Sequence, residues 1–348
     1  MNQTLNGIRR ILITILVAMG VGALFIVAIG ENPIDAYAAL FRGAFDGELR
    51  LGTTLAGFTP LLLTSIAFAV AAKAGAFNVG VEGEVFLGGI TAAYIGINWT
   101  FLPKPALYVA CFVGAMVVAA AWAFIPAILR AYYNVNEVCT TILMNTVALY
   151  ITSYLVSGPM SAGTANAQSL PVTVRLYQFM KPSSVNVGIF IAAITVIVII
   201  FMLQKSSWGY KIRIVGLNPT HADYVGIDSK KVFVGAMMLS GMLGGMAGCI
   251  EVLGVHGYFL NNFATGLGSN GMLAALIVKN NMVSTPFMAF FLAVLKSGAM
   301  GMQQSTGVPK SLVDTITAVF IIIATMETAF QFTKKRKKKT EEKKEDKA

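Results

Sequence analysis

Long uncharged apolar runs, separated by short polar segments, make up most of this 348-residue chain. Several runs approach the ~20 residues with which an α-helix crosses ~30 Å of hydrocarbon. The runs are continuous rather than alternating, which predicts spanning helices rather than the strands of a β-barrel. The pattern therefore predicts an all-α, polytopic membrane protein with about ten transmembrane helices. We expect the spans near residues 11–30, 53–72, 85–98, 106–129, 138–157, 186–203, 232–253, 270–280, 285–302 and 310–330.

An amphipathic segment follows the first apolar run. Asn32 and Pro33 suit the N-cap and the first position of a helix. Apolar residues then recur at helical spacing, with charged residues off that stripe. We predict a helix over residues 31–50 that lies along the outer membrane surface. Its apolar stripe consists of Ile34, Tyr37, Phe41 and Phe45.

Residues 203–232 form almost the only long polar segment in the interior of the sequence. Within it, Asn218 and Pro219 suit a helix N-cap and first turn, and Gly226 suits a helix stop. The pattern predicts a short helix held between two spans on the basic side of the membrane. A short loop needs no such helix, so we predict that this one docks a cytoplasmic partner. The basic residues of the segment are Lys205, Lys211, Arg213, Lys230 and Lys231.

The composition agrees with a membrane location. Hydrophobic residues make up 56% of the chain and charged residues 12%, and the mean hydropathy is +0.71. The net charge of +10 is uneven, with Arg9 and Arg10 before the first span and a basic run at 334–339 after the last. Basic residues flank spans on the cytoplasmic side. We therefore predict a multi-pass membrane protein with both termini in the cytoplasm.

The basic C-terminal tail has two interpretations. It could contact nucleic acid, or it could anchor the last span beside anionic membrane lipid. The second is typical of membrane proteins, so we predict lipid contact and no nucleic-acid partner. The transmembrane domain then covers residues 1–333, and the basic, mixed-charge tail covers 334–348.

No pattern in the sequence indicates an enzyme. The phosphate-loop pattern G-x-x-x-x-G-K-[ST] is absent, so the chain does not hydrolyse ATP by that route. His221 and His256 form no ligand pair, and no serine stands in a nucleophile elbow. The cysteines fall in apolar segments without metal-like spacing. We predict no enzymatic activity, no cofactor and no metal.

The segment 77–84, Phe-Asn-Val-Gly-Val-Glu-Gly-Glu, brings polar residues to a membrane boundary. Carboxylates and an amide are costly there, and glycines allow the backbone to leave the helical path. One interpretation is a broken helix that lines a solute pathway, with Asn78 and Glu82 facing the cavity. The other is a cytoplasmic turn whose glutamates are solvated or cap the next helix.

Other residues inside the predicted spans are further candidates for a pathway. Asn145 lies two helical turns into its span, where it either bonds a neighbouring helix or meets a solute. Glu251 and Lys296 are the most deeply placed charges, and they pair with each other, line the pathway or lie near the outer headgroups. Aromatic rings near the irregular segments suit stacking on a planar solute or anchoring at the interface. These rings are Phe77, Tyr258, Phe259 and Phe263.

A short sequence pattern occurs twice. Gly80-Val-Glu-Gly83 recurs as Gly254-Val-His-Gly257. In the predicted topology the two copies lie at opposite membrane faces, as an inverted-topology repeat requires. Glycine is frequent in this chain, so chance accounts for the recurrence nearly as well.

Four stretches, taken in order, resemble one family of membrane proteins. The second of them, residues 77–84, is similar to the family pattern F-N-I-G-x-E-G-Q. Together they resemble the permease subunits of ATP-binding-cassette importers, in the group that carries nucleosides and simple sugars with a basic-membrane-protein-type lipoprotein. The resemblance covers most of residues 31–330. The four stretches are 36–45 with 59–63, then 77–84, then 136–138 with 143–145, and finally 216–227 with 239–241 and 248–254.

The resemblance implies that several subunits work together. Two permeases, often different, pair in the membrane, two cytoplasmic ATPases bind beneath them, and an external lipoprotein delivers the solute. The helix from Pro219 to Val225 would be the coupling helix seated in an ATPase groove, which agrees with the docking role predicted from its caps. The residues assigned to this element are Gly216, Asn218, Pro219, His221, Tyr224 and Gly226.

Three residues depart from the family pattern. Glu84 replaces a common glutamine, His221 replaces a frequent alanine, and Lys296 stands where the family is often neutral or basic. These departures make the identity of the solute less certain than the class of protein.

We predict nucleoside uptake, with two alternatives: a permease for a sugar of the ribose or galactose type, or a secondary transporter driven by an ion gradient. A secondary transporter works alone, whereas an importer permease needs its ATPase.

Overall fold

The computed structural model describes residues 19–28 and 30–306, together with Ser311, Asp314, Thr315 and Ala318. The regular elements of these residues are helices, apart from isolated β-bridges, which confirms the all-α fold. A π-helical turn, Glu251–His256, extends α10. The helices are α1 (Met19–Ala28), α2 (Pro33–Phe45), α3 (Gly47–Lys73), α4 (Val81–Asn98), α5 (Lys104–Tyr133), α6 (Glu137–Ser157), α7 (Gly188–Lys205), α8 (Ser207–Leu217), α9 (Pro219–Tyr224), α10 (Ser229–Ile250), α11 (Leu267–Ile277) and α12 (Thr285–Thr306).

Among the described residues, six helices are long and apolar enough to cross a membrane. The number rises to seven if α1 and α2, which meet at 116°, form one broken span. The predicted count of about ten is not confirmed. Helix α11 has 11 residues and is ~16 Å long, which is short of the ~30 Å of a bilayer core. The chain ends, the tail and all but four residues of the predicted span at 310–330 lie outside the described residues.

The chain divides into two compact units. The terminal unit contains the described residues up to Asp46 and those from Leu295 onward, and the central unit is Gly47–Val294. In the terminal unit, the side chain of Asn32 accepts a hydrogen bond from the Ile34 N–H, and Pro33 opens α2 as predicted. Its small core contains Ile26, Ala36, Ala39, Leu40, Ala299 and Met302.

In the central unit, α10 packs against α3, α4 and α5. It runs parallel to α4, because Gly245 lies against Gly88 and Gly248 lies against Gly89. A Cβ on Gly248 would lie 2.7 Å from the Gly89 nitrogen, so the two backbones touch. Small residues at a helix crossing allow this close approach in membrane proteins.

One end of the central unit is basic, and we refer to it as the basic end. Lys73 of α3 lies against Gly216 of α8, and the Lys230 ammonium lies 5.1 Å from the ring centre of Tyr132 on α5. The ends of α3 and α5 and the start of α10 therefore meet here. The opposite end carries the non-helical residues 158–187, which we refer to as the loop segment.

Candidate functional site

Helix α4 begins at mid-depth rather than at the basic end. Its first residue, Val81, lies beside Gly244 of α10. Gly244 lies fifteen positions after Ser229, the first residue of α10, which corresponds to about 22 Å along a helix. The backbone after Lys73 therefore turns back into the bundle and starts α4 about halfway along the span.

The side chain of Asn78 holds this buried turn together. Its amide donates to Glu84 Oε1 and to Ser240 Oγ, both at 2.9 Å, and its oxygen accepts from the Gly80 N–H. Asn78 is fully buried. Buried polar groups need partners of this kind, so the amide ties the turn to α4 and α10.

Glu82 and Glu84 lie inside α4, which corrects the sequence prediction that the polar segment ends at Glu84 before the span begins. Helix α4 starts at Val81, so both carboxyls belong to its first turn, where the positive end of the helix dipole favours them. Glu84 is 1% exposed, and its Oε2 has no hydrogen-bond partner among the described residues. The missing side chain of Gly244 leaves room for that oxygen.

Asn145 connects α6 to the start of α4. Its amide donates to the Val79 carbonyl at 2.9 Å, and its oxygen accepts from the Gly83 N–H at 2.8 Å. These are bonds to a neighbouring helix, one of the two roles predicted from the sequence. Phe77 packs edge-on against Phe68 with ring centres 5.0 Å apart.

The π-helical turn and the residues after it break the span at the opposite end. Glu251 is buried, and its Oε2 lies 3.6 Å from His256 Nε2. The His256 ring lies edge-on to Phe263 at 5.8 Å. Residues 257–266 are not helical. The second copy of the predicted repeat thus ends a helix, whereas the first copy starts one, and the repeat itself stays a prediction.

The loop segment satisfies the backbone groups that this break releases. The Leu176 N–H donates to the Leu253 carbonyl at 2.9 Å, and Gln178 donates to the Gly254 carbonyl at 2.8 Å. The Arg175 guanidinium donates to the His256 carbonyl at 2.5 Å. Unpaired backbone groups are costly in a membrane. The loop segment therefore packs against the end of α10 and stabilises it, rather than only connecting α6 to α7.

Polar side chains are exposed where the break meets the start of α4. Glu82 is partly exposed, and Asn262, Thr265 and Ser269 are exposed. Gly268 brings α11 against the Glu82 backbone, where a Cβ would lie 2.6 Å from the Glu82 nitrogen. The Ser269 hydroxyl lies 3.4 Å from Glu82 Oε2. Within a bilayer, exposed polar side chains and non-helical backbone are tolerated against protein or water rather than against lipid.

The sequence analysis singled out Glu82 but not Asn262, Thr265 and Ser269, which the structure also exposes. The only available signal was the glycine- and asparagine-rich composition of residues 254–269. Lys296 is an exposed residue of α12 and belongs to the terminal unit. The role of Phe77, Asn78, Glu82, Asn145, Glu251 and Lys296 in a pathway stays a prediction.

The polar segment at the basic end is fully folded. Helix α8, which the sequence analysis did not predict, buries Ile212 and Val215. The Arg213 guanidinium donates to the Leu203 carbonyl at 2.7 Å and so caps the end of α7. The predicted short helix is α9: Asn218 is its N-cap, with its oxygen accepting from the His221 N–H, and Pro219 is its first residue.

Helix α9 ends as the sequence predicted. Gly226 follows it with a φ of +79°, a conformation that favours glycine. The next helix, α10, is capped by Asp228, whose Oδ1 accepts from the Lys231 N–H at 3.0 Å. That backbone bond, followed by the bond to the Lys231 side chain, lowers the pKa of Asp228.

Three large apolar side chains are exposed on and beside α9, among exposed polar residues such as Thr220 and His221. Leu217 is 83% exposed and Tyr224 is 85% exposed, and Val225 is exposed beside them. Ala222 is the buried residue of α9. Exposed apolar residues grouped in this way are typical of a protein contact surface.

Comparison with known proteins assigns the chain to a family. Residues 50–325 match the family described as branched-chain amino acid transport system / permease component. The chain belongs to this permease family. The match covers most of the central unit and extends beyond it, and it confirms the resemblance to importer permeases found in the sequence.

Several curated relatives align with the permease over nearly its whole length. It is 33% identical over 337 residues to the guanosine ABC transporter permease protein NupP of Bacillus subtilis, covering 94% of this chain and 96% of the relative. It is 31% identical over 335 residues to the nucleoside ABC transporter permease protein NupB of Lactococcus lactis, covering 92% and 91%. A glucose ABC transporter permease protein of Haloferax volcanii is 32% identical over 323 residues, covering 89% and 85%.

Family membership fixes the broad class of the protein. The permease is a multi-pass membrane subunit of an ABC transporter, and its family is one of transport proteins rather than of enzymes. Membership of this family also implies ATPase and substrate-binding partners. The relatives named for nucleosides and for glucose have similar identity to this chain.

Proposed function

We propose that the permease forms the membrane pathway for nucleoside uptake in a bacterial ABC importer. The basic end faces the cytoplasm in this proposal, since basic residues flank spans on that side. The observation that carries the pathway is the exposed polar surface at the break. Glu82 and Ser269 provide hydrogen-bonding groups beside the mid-depth start of α4, where lipid offers none. Asn262 and Thr265 are exposed in the adjoining non-helical break.

The solute is assigned from the relatives. Two that align over nine-tenths of the chain are named for guanosine and for nucleosides. A simple sugar is the second candidate, because the glucose permease has similar identity. Both solutes carry hydroxyl groups, which can donate hydrogen bonds to a carboxylate such as that of Glu82.

A competition experiment separates the two solutes. Proteoliposomes would contain the permease with its ATPases, any second permease and the substrate-binding lipoprotein. We expect ATP-dependent uptake of labelled guanosine or uridine, reduced at least ten-fold by excess unlabelled nucleoside and unchanged by excess glucose or ribose. The reverse pattern would assign the sugar, and uptake without ATPase subunits would contradict the importer mechanism.

We further propose that α9 is the helix on which an ATPase subunit docks. The apolar group formed by Leu217, Tyr224 and Val225 supports this proposal, as it gives a partner an exposed surface at the cytoplasmic end. Movement of the ATPases would then alternate the access of the pathway between the two membrane faces. ATP and solute shift this equilibrium only by their different affinities for the two states.

Two exposed tyrosines at opposite ends provide a matched test of docking. Tyr224 is 85% exposed at the basic end, and Tyr177 is 72% exposed in the loop segment. With a photo-crosslinking amino acid in place of each tyrosine, we expect position 224 to crosslink to the ATPase in the assembled transporter and position 177 not to do so. An ATPase crosslink at position 177, or none at 224, would contradict the docking proposal.

A further inference from the structure

The carboxylate of Asp223 joins α9 to α10. Its Oδ1 accepts a hydrogen bond from the Ser229 N–H and its Oδ2 accepts one from the Ser229 hydroxyl, both at 2.9 Å. Ser229 is the first residue of α10 and is 8% exposed. Both carboxylate oxygens of this one residue therefore hold the start of a buried span, across the turn that contains Gly226.

The contact is more than the usual capping of α10. The N-cap of that helix is Asp228, which binds the Lys231 N–H at 3.0 Å and the Lys231 ammonium at 2.9 Å. Backbone bonds, such as that from the Ile227 N–H to the Ala222 carbonyl, fold the turn back on α9. Asp223 is the side chain that reaches past this turn to α10 itself.

Helix α10 is suited to carry a displacement through the membrane. It contacts the backbone of α4 at Gly248 and that of α5 at Gly241, where a Cβ would lie 2.6 Å from the Ala119 carbonyl oxygen. Its π-helical extension is bound by the loop segment through Gln178. Helix α10 also passes the start of α4 at Gly244. It therefore extends without interruption from the turn after α9 to the break at the opposite end.

We propose that Asp223 is the positioning residue that transmits movement of α9 to α10. This inference rests on the proposed function, in which an ATPase docks on α9. The link is stiff because both the N–H and the hydroxyl of Ser229 donate to this one side chain. Among the described residues, it makes the side-chain hydrogen bonds that join α9 to α10.

The test compares Asp223→Ala with Asp223→Asn in the reconstituted transporter. Alanine removes both bonds, whereas asparagine retains them, since its oxygen accepts from the Ser229 N–H and its amide donates to the Ser229 hydroxyl. We expect Asp223→Ala to lower the solute imported per ATP hydrolysed by about five-fold or more. We expect Asp223→Asn to keep that ratio, and Ser229→Ala, which loses one bond, to give an intermediate value.

Asp228→Ala is the matched control, because it removes the cap of the same helix without touching the link to α9. It is expected to lower thermal stability and leave the import ratio unchanged. An unchanged ratio in both Asp223→Ala and Ser229→Ala, or an equal loss in Asp228→Ala, would overturn the proposal. The crosslink from position 224, measured in each variant, separates this failure from a failure of docking, in which the crosslink is absent in the parent protein as well.

Discussion

Replacing Gly248 with alanine is expected to destabilise the permease by ~1–3 kcal/mol, the usual cost of overpacking a tight contact. The added Cβ would lie 2.7 Å from the Gly89 nitrogen and against the Val85 carbonyl. Both are backbone atoms of α4, so neither moves aside as a flexible side chain would. Helices α4 and α10 must separate, and the mid-depth start of α4 depends on their contact.

Gly57→Ala is the control for this variant. Gly57 also lies inside a helix, α3, but a Cβ there meets nothing within 4 Å. Thermal unfolding of the purified protein in detergent would be followed by size-exclusion chromatography. We expect the midpoint to fall by roughly 3–10 °C for Gly248→Ala. For Gly57→Ala we expect it to stay unchanged or to rise slightly, because alanine favours a helix more than glycine does. Equal midpoints for the two variants would contradict the close packing of α4 on α10.

A cysteine at Ser269 is expected to react with a membrane-impermeant thiol reagent, whereas a cysteine at Ile197 is not. Both positions are exposed in the isolated chain, Ile197 at 65%. Ile197 lies on α7, an apolar span, so it faces lipid or protein, where a thiol does not ionise. Ser269 lies on α11 just after the break, where its hydroxyl contacts Glu82. The proposed pathway exposes this position to water, so a thiol there can ionise, and only the thiolate reacts.

The labelling requires a suitable background. Cys139 is exposed and would be replaced by serine, whereas Cys111 and Cys249 are buried. Labelling would be measured by mass spectrometry in the reconstituted transporter, with and without ATP. We expect the cysteine at 269 to react at least ten-fold faster than that at 197 in one of the two conditions. Similar rates in both would argue that the break faces another protein surface rather than a pathway.

The short helix α9 shows which features a sequence predicts well. Asn218, Pro219 and Gly226 act within a few residues of one another, by a side-chain cap, a fixed φ and a left-handed turn. The start of α2 at Asn32 and Pro33 is of the same kind. Such local signals do not depend on the rest of the fold, so both helix starts were predicted to the residue.

The start of α4 shows a feature that local sequence signals did not predict. The sequence analysis ended the polar segment at Glu84, whereas the helix begins at Val81. That earlier start depends on Asn78, Asn145 and Ser240, and the last two are distant in sequence. A pattern of neighbouring residues carries no information about such partners.

The amino-acid sequence by itself determined that the permease is an all-helical membrane protein, where its long apolar helices lie, and how α9 begins and ends. Apolar run length and helix caps are local properties, because each helix satisfies its own backbone in lipid. Only the tertiary structure decided that α4 starts at mid-depth and that Glu82 meets Ser269. These features depend on backbones that approach closely at Gly88, Gly248 and Gly268, and such contacts form only when distant helices pack together.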